Sequence, residues 1–381
     1  MFDEDIVPYQ VEVPEVQLRD LRRRLGETRW PAQIPGAGWT RGVPVDPLRE
    51  LAAHWAARFD WRWWEQRLNS YSQYTTVIDG ARIHFLHIRS RKLNPFPLLL
   101  LHGWPGSVVE FLEVIEPLAD PESGGPAFDL IIPSHPNFGF SGPVTAPGWD
   151  SMRIARAYAE LMRRLGYPRY GVQGGDFGAF IGPDLGRVDA GRVVGVHVNA
   201  ATMGFVPYGH VPDETADTLT VRERKSLARL GAFLTDGGGY FQIQGTRPHT
   251  LGFALADSPA GQLAWITEKF HDWTGSEGAL QDRVDRDQML ANISVYWFTN
   301  TGGSSAQLYF ETLHSPALPT LSTTPTAVAN FAEDVAIRRY AEQVNTIVRW
   351  TDFDTGGHFA AMQTPELLVE DVRAFFAELL G

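Results

Sequence analysis

Gly174-Gly175-Asp176-Phe177-Gly178 follows the apolar run Tyr170 to Gln173 and leads into a helical pattern, with glycines two places before and two places after a central aspartate. That spacing describes a nucleophile elbow. Small residues on either side let a strand and the next helix approach closely, and the apex side chain stands clear above the sheet. The identity of the apex residue decides the chemistry. A serine oxygen attacking an alkyl carbon leaves an ether that water does not cleave, whereas a carboxylate leaves an ester that water does cleave. With the ordinary aspartate pKa of about 4, Asp176 needs no base to become a nucleophile at neutral pH. The expected substrate is a strained or activated alkyl electrophile, not an amide.

Continuous apolar runs flank the elbow on both sides: Pro97 to Leu101, Phe128 to Ile132, Tyr170 to Gln173 and Val193 to Asn199. Runs without alternation predict strands covered on both faces, so the class is α/β with a mostly parallel sheet. Ahead of them, Thr75 to Ile78 and Arg82 to Ile88 alternate around Asp79-Gly80, which predicts a hairpin. Residues 1–75 read as a helical extension without strands. Its helices are Val16 to Thr28, stopped by Trp30-Pro31, and Asp46 to Phe59, with Asp46 as N-cap and Pro47 at the first position. After Met203 roughly a hundred residues of helical pattern intervene, including Val221 to Leu234, Ala260 to Trp273 and Asp285 to Thr299. The strands Thr326 to Asn330 and Thr346 to Phe353 and the helix Pro365 to Leu380 then complete the chain. The expected organisation is an extension (1–75), a core (76–204 and 321–381) and a helical cap (205–320) inserted late in the sheet. Such a cap covers the strand-end crevice where open α/β sheets take ligands.

Composition narrows the classes. The 381 residues are 44% hydrophobic and 12% aromatic, enough for a large core and an apolar pocket, and the net charge of -12 argues against nucleic acid or anionic membrane surfaces as partners. The absence of Cys removes thiol catalysis, disulfides and thiolate metal sites. His84 and His87, three apart on a strand, face opposite sides and do not suggest a metal site. The start, residues 1–5, is acidic where a signal peptide is basic, and no apolar run approaches the ~18 residues of a membrane span. A cytoplasmic chain is expected.

Partners for Asp176 are sought at other strand ends. His102-Gly103-Trp104-Pro105-Gly106 follows the strand Pro97 to Leu101, so the backbone N–H groups of Trp104 and Phe177 are the expected oxyanion donors. His102 itself reads as turn support. Gly356-Gly357-His358-Phe359 follows the last strand, and its imidazole, with an ordinary pKa of about 6.5, suits a base that takes a proton from water. Chain order calls for an acid between cap and base, where Glu333 and Asp334 compete.

Together these residues resemble the epoxide hydrolases of the α/β-hydrolase superfamily, in particular the microsomal-type branch with an extra N-terminal segment. The resemblance runs through Asp60-Trp61, Leu68-Asn69, Ile83 to His87, His102 to Gly106, Gly174 to Gly178, Gly239-Tyr240, Ile243-Gln244, Asp257 to Gly261 and Gly356 to Ala361. It implies Asp176 as nucleophile, His358 as base and, with Pro325-Thr326 as anchor, Asp334 rather than Glu333 as acid. It further implies two cap tyrosines that hydrogen-bond the epoxide oxygen, matched by Tyr240 and Tyr309, with Tyr296 as a substitute. A phenol with a pKa of about 10 donates at neutral pH and supports an emerging alkoxide. The implied reaction converts a bulky apolar or aryl epoxide and water to a vicinal diol through an aspartyl ester, with Trp104 and Phe177 lining the substrate site and no metal or organic cofactor. Relatives are often dimers, which makes a homodimer an expectation. Microsomal members carry an apolar anchor ahead of this segment; here the sequence begins with the segment itself, so no membrane contact is expected.

Two other classes remain open on sequence. Dehalogenases use the same elbow aspartate but often place a Trp directly after it, where this chain has Phe177. A non-catalytic binding protein on the same fold would have little reason to keep nucleophile, base and oxyanion loop together.

Overall fold

The computed structural model describes residues 6–122, 124–207, 209, 217–275, 280–315 and 320–381, so the acidic start and short stretches of the cap span fall outside the described residues. The strands in chain order are β1 (Val7–Tyr9), β2 (Gln73–Ile78), β3 (Ala81–Ile88), β4 (Phe96–Leu101), β5 (Phe128–Pro133), β6 (Tyr170–Gly175), β7 (Val193–Asn199), β8 (Ser322–Asn330) and β9 (Asn345–Asp352). They form one sheet in the order β1-β2-β3-β5-β4-β6-β7-β8-β9. From β5 to β9 neighbouring strands are parallel, and β1, β2 and β3 add an antiparallel flank. Every residue of β5 and β6 is buried, as unbroken apolar runs require, while edge strand β9 is largely half-exposed. Asp79 and Gly80 both have positive φ, 50° and 77°, the geometry of a tight hairpin turn between β2 and β3.

The N-terminal segment departs from expectation in three places. It opens with a strand, because residues 7–9 pair with residues 73–75 and extend the sheet edge. Three residues are too few for alternation to be visible in sequence. Helix α1 (Glu15–Gly26) ends before Trp30-Pro31. Helix α2 (Val45–Ala57) starts one residue earlier than read, with Pro44 at the N-cap and Asp46 inside the first turn. There Gln33 Oε1 accepts the Val45 N–H at 2.7 Å, doing the work expected of Asp46. A third helix, α3 (Trp61–Asn69), is capped by Asp60, which accepts from Arg62 and Trp63 N–H groups. Asn69 bonds both the N–H and the C=O of Val11, fixing the approach to β1. Trp55 Nε1 donates to Ser294 Oγ at 2.9 Å, tying α2 to the helix Arg286–Thr299.

Strand order reverses at β4, which lies between β5 and β6, and crevices open at such points beyond the strand carboxyl ends. Leu101 pairs with Gly174, so the loop after β4 and the turn after β6 emerge side by side. Helix α4 (Ser151–Arg164) and helix α5 (Gly178–Val188), which leaves the turn, pack on each other beside the sheet. A Cβ at Gly178 would stand 2.1 Å from the Leu101 carbonyl oxygen, a backbone atom that cannot swing aside. Gly178→Ala is expected to cost about 3 kcal/mol. Urea unfolding midpoints of the two proteins measure it.

Helices α6 (Val221–Ala232), α7 (Gly239–Thr246), α8 (Pro248–Asp257), α9 (Pro259–Trp273), α10 (Arg286–Thr299) and α11 (Gln307–Leu313) lie between β7 and β8, and α12 (Pro365–Leu380) packs on β7 and β8. Among the described residues, no helix is long and apolar enough to cross a membrane.

Candidate active site

Asp176 sits at φ 53°, in the left-handed region that costs a non-glycine residue about 1–3 kcal/mol. The strained turn directs its carboxylate into the crevice. Oδ1 accepts the Trp104 N–H at 2.9 Å, and the Phe177 N–H lies close enough to favour the charged carboxylate. Both expected oxyanion donors thus converge on the apex side chain. The approach is close enough that a Cβ at Gly103 would fall 2.3 Å from Asp176 Oδ1. Desolvation pushes the Asp176 carboxyl up to about 6, against the downward pull of the two N–H donors. It is ionised at neutral pH.

His358 comes from the loop after β9, which turns at Gly356 with φ 78°. Its Nε2 lies 3.6 Å from Asp176 Oδ2, and the two side chains keep 18% and 16% of their surface accessible, as groups opening onto an internal crevice must. Oδ1 is therefore held by the Trp104 amide while Oδ2 faces the imidazole. Burial pushes His358 down to about 3, leaving the ring neutral and able to accept a proton. Helix α9 clamps this loop. The His358 N–H donates to the Trp273 carbonyl at 3.0 Å, the Trp273 ring lies 4.5 Å from the imidazole, and Phe359 stacks on Phe270 at 4.0 Å.

The two candidate acids have different surroundings. Glu333 is bound by Arg229 Nη2 at 2.9 Å at the surface. Asp334 is buried, and its Oδ2 accepts the Phe331 and Ala200 N–H groups at 3.0 and 3.2 Å. Burial raises Asp334 to about 6. Among the described residues, neither carboxylate reaches the His358 ring, whose ion-pair contact is with Asp176.

Tyr240 on α7 and Tyr309 on α11 face the elbow from the cap. Tyr240 stacks on Trp104 with ring centroids 5.3 Å apart, and Tyr309 meets the edges of Trp104 at 5.8 Å and Phe177 at 4.8 Å. Burial and the Asp176 charge raise both phenols above their ordinary value, so both stay protonated. Among the described residues, the buried Tyr309 hydroxyl makes no hydrogen bond of good geometry, although the two phenols are close enough to influence each other. A buried donor without a well-placed acceptor is what a site for an incoming oxygen contains. Tyr296 is occupied elsewhere, donating to the Gly106 carbonyl at 2.6 Å and bracing the oxyanion loop. His102 likewise supports the turn, with Nδ1 2.9 Å from the Gly103 carbonyl.

Sequence reasoning missed three residues here. Trp273 ends a predicted helix but carries no motif. Glu110 is a buried carboxyl pushed up to about 8 by desolvation and by the Asp176 charge, with Oε2 2.4 Å from where a Cβ at Gly106 would be. Lys269 is a buried cation. Its signal was legible, because Ile266, Lys269, Phe270 and Trp273 share helical spacing and put a lysine in an apolar stripe.

A mostly parallel sheet with an acidic elbow, amides at the apex and an imidazole on the last loop is an α/β-hydrolase arrangement with a carboxylate in the nucleophile's place. Comparison with known proteins narrows the class. The family pattern of the epoxide hydrolase N terminus matches residues 6–111, and that of the alpha/beta hydrolase fold matches residues 97–216. A Stigmatella aurantiaca protein bearing the epoxide hydrolase name is 44% identical over 98% of this chain and 85% of its own. The juvenile hormone epoxide hydrolase of the silkworm Bombyx mori superposes with a TM-score of 0.89 at 32% identity, covering 99% of this chain and 95% of that one. The Aspergillus niger epoxide hydrolase gives 0.86 at 32% identity, covering 99% and 97%. The chain belongs to the epoxide hydrolase family, enzymes that open an epoxide with water to a vicinal diol.

Proposed function

We propose that Asp176, His358, Asp334, Tyr240 and Tyr309 hydrolyse a bulky apolar or aryl epoxide in two steps. The observation that carries this reading is the asymmetry of the nucleophile: Oδ1 rests on backbone amide, and Oδ2 is turned toward the base. In the first step Oδ2 attacks a ring carbon from behind while the phenols of Tyr240 and Tyr309 donate to the departing oxygen. The carbon–oxygen bond of the ring breaks, one phenol passes its proton to the freed oxygen and is left as phenolate, and a hydroxyalkyl ester forms on Asp176. In the second, His358 takes a proton from water, the hydroxide adds to the ester carbonyl, and the Trp104 and Phe177 N–H groups hold the oxyanion. Collapse expels the diol oxygen, which receives the proton from His358, and the carboxylic acid left on Asp176 returns its proton to the phenolate, which restores both carboxylate and phenol.

Asp334 is the acid that steadies the imidazolium in this scheme. Among the described residues its hydrogen bonds fall on Oδ2, so Oδ1 is the oxygen that would turn to the imidazolium once the ring is protonated. The substrate class is supported by the aromatic lining of Trp104, Phe177, Tyr240, Trp273 and Tyr309, whose flat faces suit an aryl or other broad apolar group. In the same scheme residues 205–320 serve as the cap over a core of 76–204 and 321–381, braced by 1–75.

Tyr240→Phe and Tyr309→Phe are each expected to slow ester formation by about ten- to a hundredfold, and the double variant by more than about a thousandfold. Ester hydrolysis should change far less. Stopped-flow single turnovers with a styrene-oxide-like epoxide measure both steps. A double variant that forms ester at the wild-type rate would remove the tyrosines from the reaction.

A further inference from the structure

We infer that Lys269 is a positioning residue for ring opening: its ammonium, held against the face of Tyr240, makes that phenol a stronger donor to the epoxide oxygen. The inference rests on the assignment of Tyr240 above. Lys269 lies on α9 with 1% of its surface accessible, and lysine is almost never that buried without a reason. Its Nζ stands 4.4 Å from the Tyr240 ring centroid and 5.9 Å from that of Trp273. Its hydrogen-bonded counter-ion, the neighbouring Glu268, keeps 31% of its side chain accessible, against 2% for the lysine. Solvent therefore screens the carboxylate more than the ammonium, and a net positive field reaches the phenol.

The direction of the effect follows from the groups around Tyr240. Burial and the negative charge of Asp176 both oppose loss of the Tyr240 proton, which weakens the phenol as a donor. A cation on the ring face draws electron density from the π system and works against both. As the epoxide ring opens, negative charge grows on its oxygen, so a more acidic donor gains more in the transition state than in the bound substrate. Lys269 itself neither gives nor takes a proton. One turn further on, Trp273 extends the same helix face, meeting the Tyr240 ring at 5.4 Å and the His358 ring at 4.5 Å, so α9 touches both donor and base. A lysine needed only to pair with Glu268 could do so at the surface.

The test is a double-mutant cycle of Lys269→Met with Tyr240→Phe, plus Lys269→Arg, read by single-turnover rates of both steps and by thermal midpoints. Lys269→Gln makes the same comparison if the methionine variant does not fold. Lys269→Met is expected to slow ester formation by about tenfold and to leave ester hydrolysis within about twofold. Arginine should restore most of the loss, and in the Tyr240→Phe background the lysine substitution should have little further effect. Equal slowing in both backgrounds, parallel loss of both steps with a fallen midpoint, or no rescue by arginine would overturn the inference. Wild-type ester formation by Tyr240→Phe alone would mark a different failure, that of the tyrosine assignment, and would take the inference with it.

Discussion

Asp176→Asn is expected to lose at least about 10^4-fold in diol formation while keeping its fold and its affinity for apolar epoxides. Asparagine tolerates the left-handed backbone at φ 53°, so the elbow should keep its shape. It preserves the side-chain volume beside Gly103 but carries no negative charge to attack with. The wild-type enzyme offers an independent check on the same group. Its carboxyl titrates at about 6, so ester formation should be full above that value and fall as pH drops through it, because only the ionised form attacks. His358, pushed down to about 3, stays neutral across this range and adds no limb of its own. Single-turnover rates from about pH 5 to about pH 8 measure this limb. A flat profile, or an active Asp176→Asn enzyme, would place the nucleophile elsewhere.

His358→Gln separates the two steps. The substitution leaves Asp176 with both amide donors, so the first epoxide should still open, and one equivalent of ester should form per enzyme. Without the imidazole nothing takes the proton from water, and steady-state turnover is expected to fall by about a thousandfold or more. Intact mass should then show one added epoxide mass, located on the peptide containing Asp176. Loss of adduct and turnover together would mean that the imidazole is needed for attack as well as for hydrolysis.

The parts of this site that could be read from sequence are those where backbones touch. Gly103 and Gly178 stand where a Cβ would meet Asp176 or the Leu101 carbonyl, so contact between segments far apart in the chain leaves a local trace in the choice of residue. The same holds for Asp79-Gly80, whose positive φ angles demand those residues. Contacts made by side chains across the fold leave no such trace. The seating of His358 against Trp273 and the burial of Glu110 beside the elbow depend on cap and core meeting, which neither local pattern encodes. Strand β1 was hidden for a different reason, since its three residues exist as a strand only because β2 offers an edge. The acid shows the limit of motif reasoning. Chain order could point to residues 333 and 334, but Arg229 engaging one and backbone amides holding the other are tertiary facts.

The central claim is that the nucleophile is a protein carboxylate and not water. The measurement that bears on it most directly is a single turnover in heavy-oxygen water, with enzyme in excess over a styrene-oxide-like epoxide. Diol and the Asp176 peptide are then weighed separately. The two-step account predicts unlabelled diol, because its new oxygen comes from Asp176 Oδ2, and one heavy oxygen in the peptide, because water repairs the carboxylate. Labelled diol with an unlabelled peptide would mean that water attacks the epoxide directly, and would contradict the account.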